Sequence, residues 1–189
     1  MNASELAALT EALKKLGCPQ DKAADMAGQL EFGADHPGVY ITLSPRGIGL
    51  TKLTQNEKHI TQTRRRFMLL GQTLAGQQVW DVRRCIRALR TLERCASAPL
   101  ELWGTGDSAS LITLATLFER DIHKIHLGDY PSTDKEQPDY LNISRFTTPL
   151  QLINLAQRKT EVVMLGKEKK YPMRNWLVLF LVAMALGPV

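Results

Sequence analysis

Leu100-Glu101-Leu102-Trp103-Gly104-Thr105-Gly106-Asp107-Ser108-Ala109-Ser110 passes from a β-rich run into an apolar helical stretch through a turn that holds two glycines. Residues 100–103 read as a strand ending at Gly104, and residues 110–118 as a helix. A strand turning sharply into a helix over small residues is the setting of a nucleophile elbow, G-x-S-x-G, in which a strained turn lifts one hydroxyl above a sheet. Two registers fit. Gly106-Asp107-Ser108-Ala109-Ser110 puts Ser108 at the nucleophile position, with Ser110 in place of the last glycine. Gly104-Thr105-Gly106-Asp107-Ser108 fits the backbone equally well but puts Gly106, which has no side chain, at that position.

Outward from this stretch, strands and helices alternate. Residues 39–43 are a short β-rich run closed by Ser44-Pro45-Arg46-Gly47, while residues 54–66 are polar and basic and give no clear element. Residues 77–95 form the strongest helix, with Val79, Val82, Ile86 and Leu89 as its apolar stripe and Asp81 in its first turn, where the helix dipole favours a carboxylate. Residues 124–127 and 161–165 read as further strands and 150–157 as a helix. The run 128–139 is a loop rich in Pro, Asp and Ser. The uninterrupted apolar run 176–186 reads as a final buried helix, being shorter than the ~18 residues that span a bilayer. At the other end, Asn2 and Glu5 form a capping box for a helix ending at Gly17, and a second helix covers about 21–30. The pattern implies an α/β fold, a mostly parallel sheet flanked by helices, with residues 1–35 as a helical segment and 36–189 as the sheet domain.

Composition sets the outer limits. At 189 residues, 44% hydrophobic and 23% charged, the chain suits one globular domain and excludes wholly disordered or collagen-like classes. Cys18, Cys85 and Cys95 have no metal-binding spacing and read as free thiols. Cys85 and Cys95 share the 77–95 helix, too far apart along it to bridge. No signal peptide is visible, since charged residues interrupt the first sixteen positions, and a cytoplasmic location is the default expectation.

Several residues carry the resemblance of this chain to a family. Arg64-Arg-Arg-Phe-Met-Leu-Leu-Gly-Gln-Thr-Leu-Ala-Gly-Gln-Gln-Val-Trp-Asp-Val-Arg-Arg84 resembles the segment that precedes the elbow strand in acetylxylan-esterase-like α/β-hydrolases. Arg46-Gly47-Ile48-Gly49 is similar to the R-G-x-G turn of that group, and Thr116-Leu-Phe-Glu-Arg-Asp121 to the close of the helix after the elbow. The similarity spans about residues 36–166. It implies a partial α/β-hydrolase-like core, an elbow and oxyanion turn at Gly104, Gly106, Asp107 and Ala109, a loop motif at Arg46, Gly47 and Gly49, and an ester or carbohydrate-ester ligand. The family's spacing, counted back from Phe118-Glu119, lands the nucleophile on Gly106.

The triad of this fold runs in the order Ser, Asp or Glu, His. Ser108 is the nucleophile candidate and Glu168, after the 161–165 strand, the acid candidate. All four histidines, His36, His59, His123 and His126, precede Glu168, so the base is missing. The expectation is weak or absent ester hydrolysis by a degenerate elbow, in a ligand-binding module or an assembly module that meets a larger hydrolase, or a second copy, through the apolar tail. The bland role for Ser108 is a hydroxyl serving orphan N–H groups at the helix start.

No cofactor, metal or membrane contact is expected. His123 and His126 diverge if they lie on a strand, and no third ligand is near. Asp134, Glu136 and Asp139 read as solvated loop, with substrate contact left open because the loop follows a strand end. The alternative function is nucleic-acid binding through the stripe Arg83, Arg87, Arg90 and Arg94, disfavoured by scarce aromatics and the absence of a recognised motif.

Overall fold

The structure, a computed structural model, describes Glu11 and residues 39–48, 56–166 and 177–181. Its frame is a five-stranded sheet: β1 (Val39–Leu43), β2 (Leu100–Thr105), β3 (Ile122–Gly128), β4 (Glu161–Leu165) and β5 (Leu177–Leu181). Their order across the sheet is β1-β5-β2-β3-β4. The strands β2, β3 and β4 are parallel, joined by α3 (Asp107–Phe118) between β2 and β3 and by α4 (Pro149–Gln157) between β3 and β4. This is an α/β architecture, a three-stranded parallel sheet flanked by helices. Both crossovers step the same way across the sheet, so their common right hand places α3 and α4 on one face, where they pack on each other.

Only residues 177–181 of the apolar run 176–186 are among those described. Its residues Leu177–Leu181 form β5, antiparallel to both β1 and β2, with Leu179 opposite Ile41 on one side and Leu102 on the other. These five residues are thus a strand and not part of the helix expected over 176–186, and of the five described strands only three are parallel. A short continuous apolar run fits an interior strand as well as a buried helix, and the sheet supplies two partners for its backbone.

Before β2 lie α1 (Glu57–Leu69) and α2 (Leu74–Arg90). The helix α1 occupies the segment that gave no element on sequence. Asn56 caps it, accepting from the Lys58 N–H at 3.0 Å, yet none of its residues is buried. The helix α2 begins three residues earlier than expected, because the Thr73 hydroxyl accepts from the Gly76 N–H at 3.1 Å. It also stops at Arg90, so Cys95 lies beyond it in a 3-10 turn (Glu93–Cys95). Asp81 consequently sits in the second turn of α2 rather than the first.

The core lies between the sheet and α2, α3 and α4. It is built from Val82, Ile86, Leu100, Leu102, Leu111, Ile112, Ile125 and Leu127, each 2% exposed or less. Nine consecutive residues of α3, Ser108 to Thr116, are buried, which makes this helix the centre of the layer and anchors the turn that starts it. Thr148 and Gln151 form a complete capping box that starts α4, with Pro149 as its first residue. Lys159 then closes α3 from outside, its Nζ donating to the carbonyls of Thr116, Leu117 and Glu119 at 3.2, 2.7 and 3.2 Å.

Candidate functional site

The β2–α3 turn is sharp. Gly106 stands at its apex with φ 57° and ψ −125°, and its N–H donates to the Gly128 carbonyl at 2.9 Å, tying the turn to the end of β3. L-residues avoid that conformation, and a Cβ placed on Gly106 would meet nothing within 4 Å. The apex is thus sterically open and conformationally closed to most side chains. Gly104 shows the opposite constraint. A Cβ there would lie 2.8 Å from the Ser108 backbone carbon and oxygen and 2.9 Å from the Ala109 nitrogen. Strand and helix touch backbone to backbone at this point. The turn therefore uses the frame Gly104-Thr105-Gly106-Asp107-Ser108, with the side-chain-free residue at the apex.

Ser108 is the second residue of α3. It is 1% exposed and its Oγ has no hydrogen-bond partner, so it neither caps the helix nor touches a base. Asp107 stands at the first helical position, and Ala109 is fully buried, its N–H donating to the Gly106 carbonyl at 3.1 Å. Glu168 and Gly49 lie outside the described residues. Arg46 is turned toward α2 instead of the elbow. Its backbone N–H and Nε donate to Asp81 Oδ2 at 3.0 and 2.8 Å, and Nη1 to Gln77 Oε1 at 2.6 Å. Asp81 feels burial, which would raise its pKa, but the Arg46 hydrogen bonds and charge outweigh that and hold it below the ordinary value. Gln78 completes the clamp by donating Nε2 to the Arg46 carbonyl at 2.9 Å.

The clamp fixes the Arg46-Gly47 turn as one wall of a cleft of about 210 Å³ beside the elbow. Thr73, Leu74, Ala75 and Gln78 form its floor, Arg64 and Met68 of α1 one side, and Asp107, Pro138 and Asp139 the other. Tyr140 holds the last two in place, donating its hydroxyl to Ser110 Oγ at 3.1 Å, and burial pushes its phenol far above the ordinary range. Burial also raises the Asp107 pKa, against the opposing pull of Arg64. A partly desolvated carboxylate in a cleft at the carboxyl end of a parallel strand marks a functional-site candidate. Of the expected residues the structure brings Gly47, Asp107 and Asp139 to this cleft; Glu136 instead accepts from the Ser132 N–H and hydroxyl, both at 2.9 Å. The sequence reading missed Thr73 and Gln78 as lining residues, and nothing in their local pattern marks them.

The other sequence candidates have separate roles. Arg83 Nε meets Glu119 Oε1 at 2.7 Å and Arg87 Nη2 meets it at 3.0 Å. Arg90 donates to the carbonyls of Cys95, Ala98 and Asp121 at 2.8, 2.6 and 2.6 Å. Three arginines of the proposed stripe thus bind their own fold; the Arg94 side chain lies outside the described residues. His126 stacks on Trp103 with ring centroids 3.8 Å apart, and its Nε2 lies 2.8 Å from Glu101 Oε2. Alternation along β2 and β3 puts this group on the sheet face turned away from α3. His123 is exposed, and among the described residues no three His, Cys, Asp or Glu side chains gather closely enough to hold a metal ion. Among them, too, no helix is long and apolar enough to cross a membrane. No family model, curated protein or solved structure matches this chain.

Proposed function

We propose that the chain is an acetylxylan-esterase-like α/β-hydrolase domain with a degenerate elbow, a binding or assembly module of a larger esterase that hydrolyses esters weakly or not at all. The observation that carries this reading is Gly106. The position that would bear a nucleophile combines a positive φ with no side chain, while Gly104 and Ser108 keep the close strand–helix approach around it. Ser108, the nucleophile candidate, is buried without a hydrogen-bond partner, and a serine without an adjacent base is a poor nucleophile. The cleft beside Asp107 supports retained ligand binding where turnover has been lost.

The test is release of nitrophenol from a short-chain nitrophenyl ester by wild-type protein, Ser108→Ala and Gly106→Ser. The expected result is the same near-background rate for wild type and Ser108→Ala, with no gain in Gly106→Ser because no base accompanies the new hydroxyl. Saturable turnover by wild type that Ser108→Ala abolishes refutes the reading.

A further inference from the structure

The cleft beside the elbow collects groups of both charges whose hydrogen-bonding capacity the protein leaves open. Among the described residues Arg64 has no ion pair, and it faces Asp107 across the cleft without reaching ion-pair distance. Asp139 lines the same cleft, so two carboxylates stand against one guanidinium. The floor adds two polar groups that are more than nine-tenths buried. Gln78 is 8% exposed and gives its Nε2 to the Arg46 carbonyl, leaving Oε1 as an acceptor without a protein partner among the described residues. Thr73 is 6% exposed; its Oγ accepts from the Gly76 N–H, and its hydroxyl proton has no acceptor among them.

Charged and polar groups that line one cleft without pairing to each other are open to a ligand whose groups match theirs. Here the missing partners have a definite pattern. One side of the cleft asks for an anion, through the Arg64 fork and the Thr73 hydroxyl. Cations are asked for by Asp107 and Asp139 on the opposite side and by Gln78 Oε1 on the floor. The volume of about 210 Å³ has room for roughly seven to ten non-hydrogen atoms at the ~20–30 Å³ each takes in a condensed phase.

We propose that this cleft binds a small amino acid, its carboxylate on Arg64 and Thr73 and its ammonium on Asp107 and Gln78, with a dibasic side chain reaching Asp139. A dibasic amino acid carries one net positive charge at pH 7, which balances the one negative charge left over among the described lining residues. The proposal rests on the elbow being a binding site and not a catalytic one, and it adds the ligand class.

The experiment is calorimetric titration of the full chain with L-lysine, with cadaverine, which lacks the carboxylate, and with acetate, which lacks the cations. L-Lysine is expected to bind with a Kd below about 1 mM, and each truncated probe at least about tenfold more weakly. Arg64→Gln should abolish the advantage of lysine over cadaverine, and Asp107→Asn should weaken lysine about tenfold or more. Both side chains are exposed, and a melting temperature no lower than that of wild type confirms the fold; Asp139→Asn, read by the same titration, replaces any variant that melts early. No heat from L-lysine up to about 20 mM, or lysine binding undiminished in Asp107→Asn and Arg64→Gln, overturns the proposal. Ester turnover that Ser108→Ala removes would instead overturn the non-catalytic reading, so the two failures are told apart by separate assays.

Discussion

Gly104→Ala probes the point where β2 and α3 approach most closely. The new Cβ would stand 2.8, 2.8 and 2.9 Å from three backbone atoms of Ser108 and Ala109, where ordinary contact begins at 3.4 Å. Strand and helix must therefore open by about 0.6 Å. Backbone cannot swing aside as a flexible side chain can, and α3 is held on its other sides by α2, α4 and β3. Opening one contact loosens a close-packed layer, so the cost belongs at the upper end of the overpacking range, about 3 kcal/mol. For a domain near this size that corresponds to a melting temperature lower by about 6–12 °C. Urea unfolding followed by circular dichroism gives the free energy directly, with Gly106→Ala as the matched control. The Gly106 substitution meets no atom within 4 Å and pays only for its φ of 57°, about 1–2 kcal/mol. If Gly104→Ala costs less than about 1 kcal/mol, or less than Gly106→Ala, the backbone contact is not what holds the turn and the reasoning fails.

Other perturbations address other parts of the fold. Arg90→Ala removes a guanidinium that binds four carbonyls between the end of α2 and the start of β3, and should lower stability by about 3 kcal/mol in urea unfolding, with Arg90→Lys recovering less than half. Ser108→Ala removes a buried hydroxyl without a partner and should be neutral or raise the urea midpoint by up to about 1 kcal/mol equivalent. For Glu119, burial pushes the pKa up, but hydrogen bonds from Arg87 and Arg83 outweigh it and leave the folded value below the ordinary 4.5. Its contribution is therefore present above pH 4.5 and lost as pH falls through the lower folded value; Glu119→Gln should flatten that acid limb in melts taken from pH 7 downward. Asp107 runs the other way. Its raised folded pKa makes the ionised carboxylate a burden above the ordinary 3.8, so Asp107→Asn should melt higher at pH 7 and lose that advantage in acid, as measured by the same melts.

The elements that sequence pattern located best are a helix with a distinct apolar stripe and a short β-branched run between turns. The stripe Val79, Val82, Ile86 and Leu89 is the buried face of α2, and the strand read at 161–165 is β4 residue for residue. Pattern failed where the signal is missing or ambiguous. The helix α1 buries nothing, so its thirteen residues show no stripe, and only Asn56 marks its start. β5 is apolar at every position, and period cannot separate such a run from a buried helix; what decides it is the pair of neighbours β1 and β2, which lie far away in the chain. The candidate site was legible only at the turn itself. Asp107 could be placed there from local residues, but Arg64, Thr73 with Gln78, and Asp139 come from three separate stretches and meet through tertiary packing. Gln78 looks like a solvent-facing glutamine beside Val79 until Arg46 folds over it.

Small residues around a strand-to-helix turn therefore carry two meanings that must be separated. Gly104 is demanded by the distance between β2 and α3, and that demand would stand whether or not the turn performed chemistry. A glycine-rich elbow in sequence is first a statement about packing. Chemistry depends on what the apex presents and what stands beside it, and here the apex presents no side chain and the Ser108 hydroxyl is buried without a base. The charge that would be wasteful in a purely structural turn is Asp107, the residue just past the apex, kept partly desolvated within the field of Arg64 but out of its reach. A turn kept only for packing would tolerate asparagine or serine at that position and gain stability from the change. The stability recovered by Asp107→Asn thus measures what the fold gives up to keep a carboxylate in the cleft, and a ligand that restores that loss on binding is the simplest reason for the carboxylate to remain.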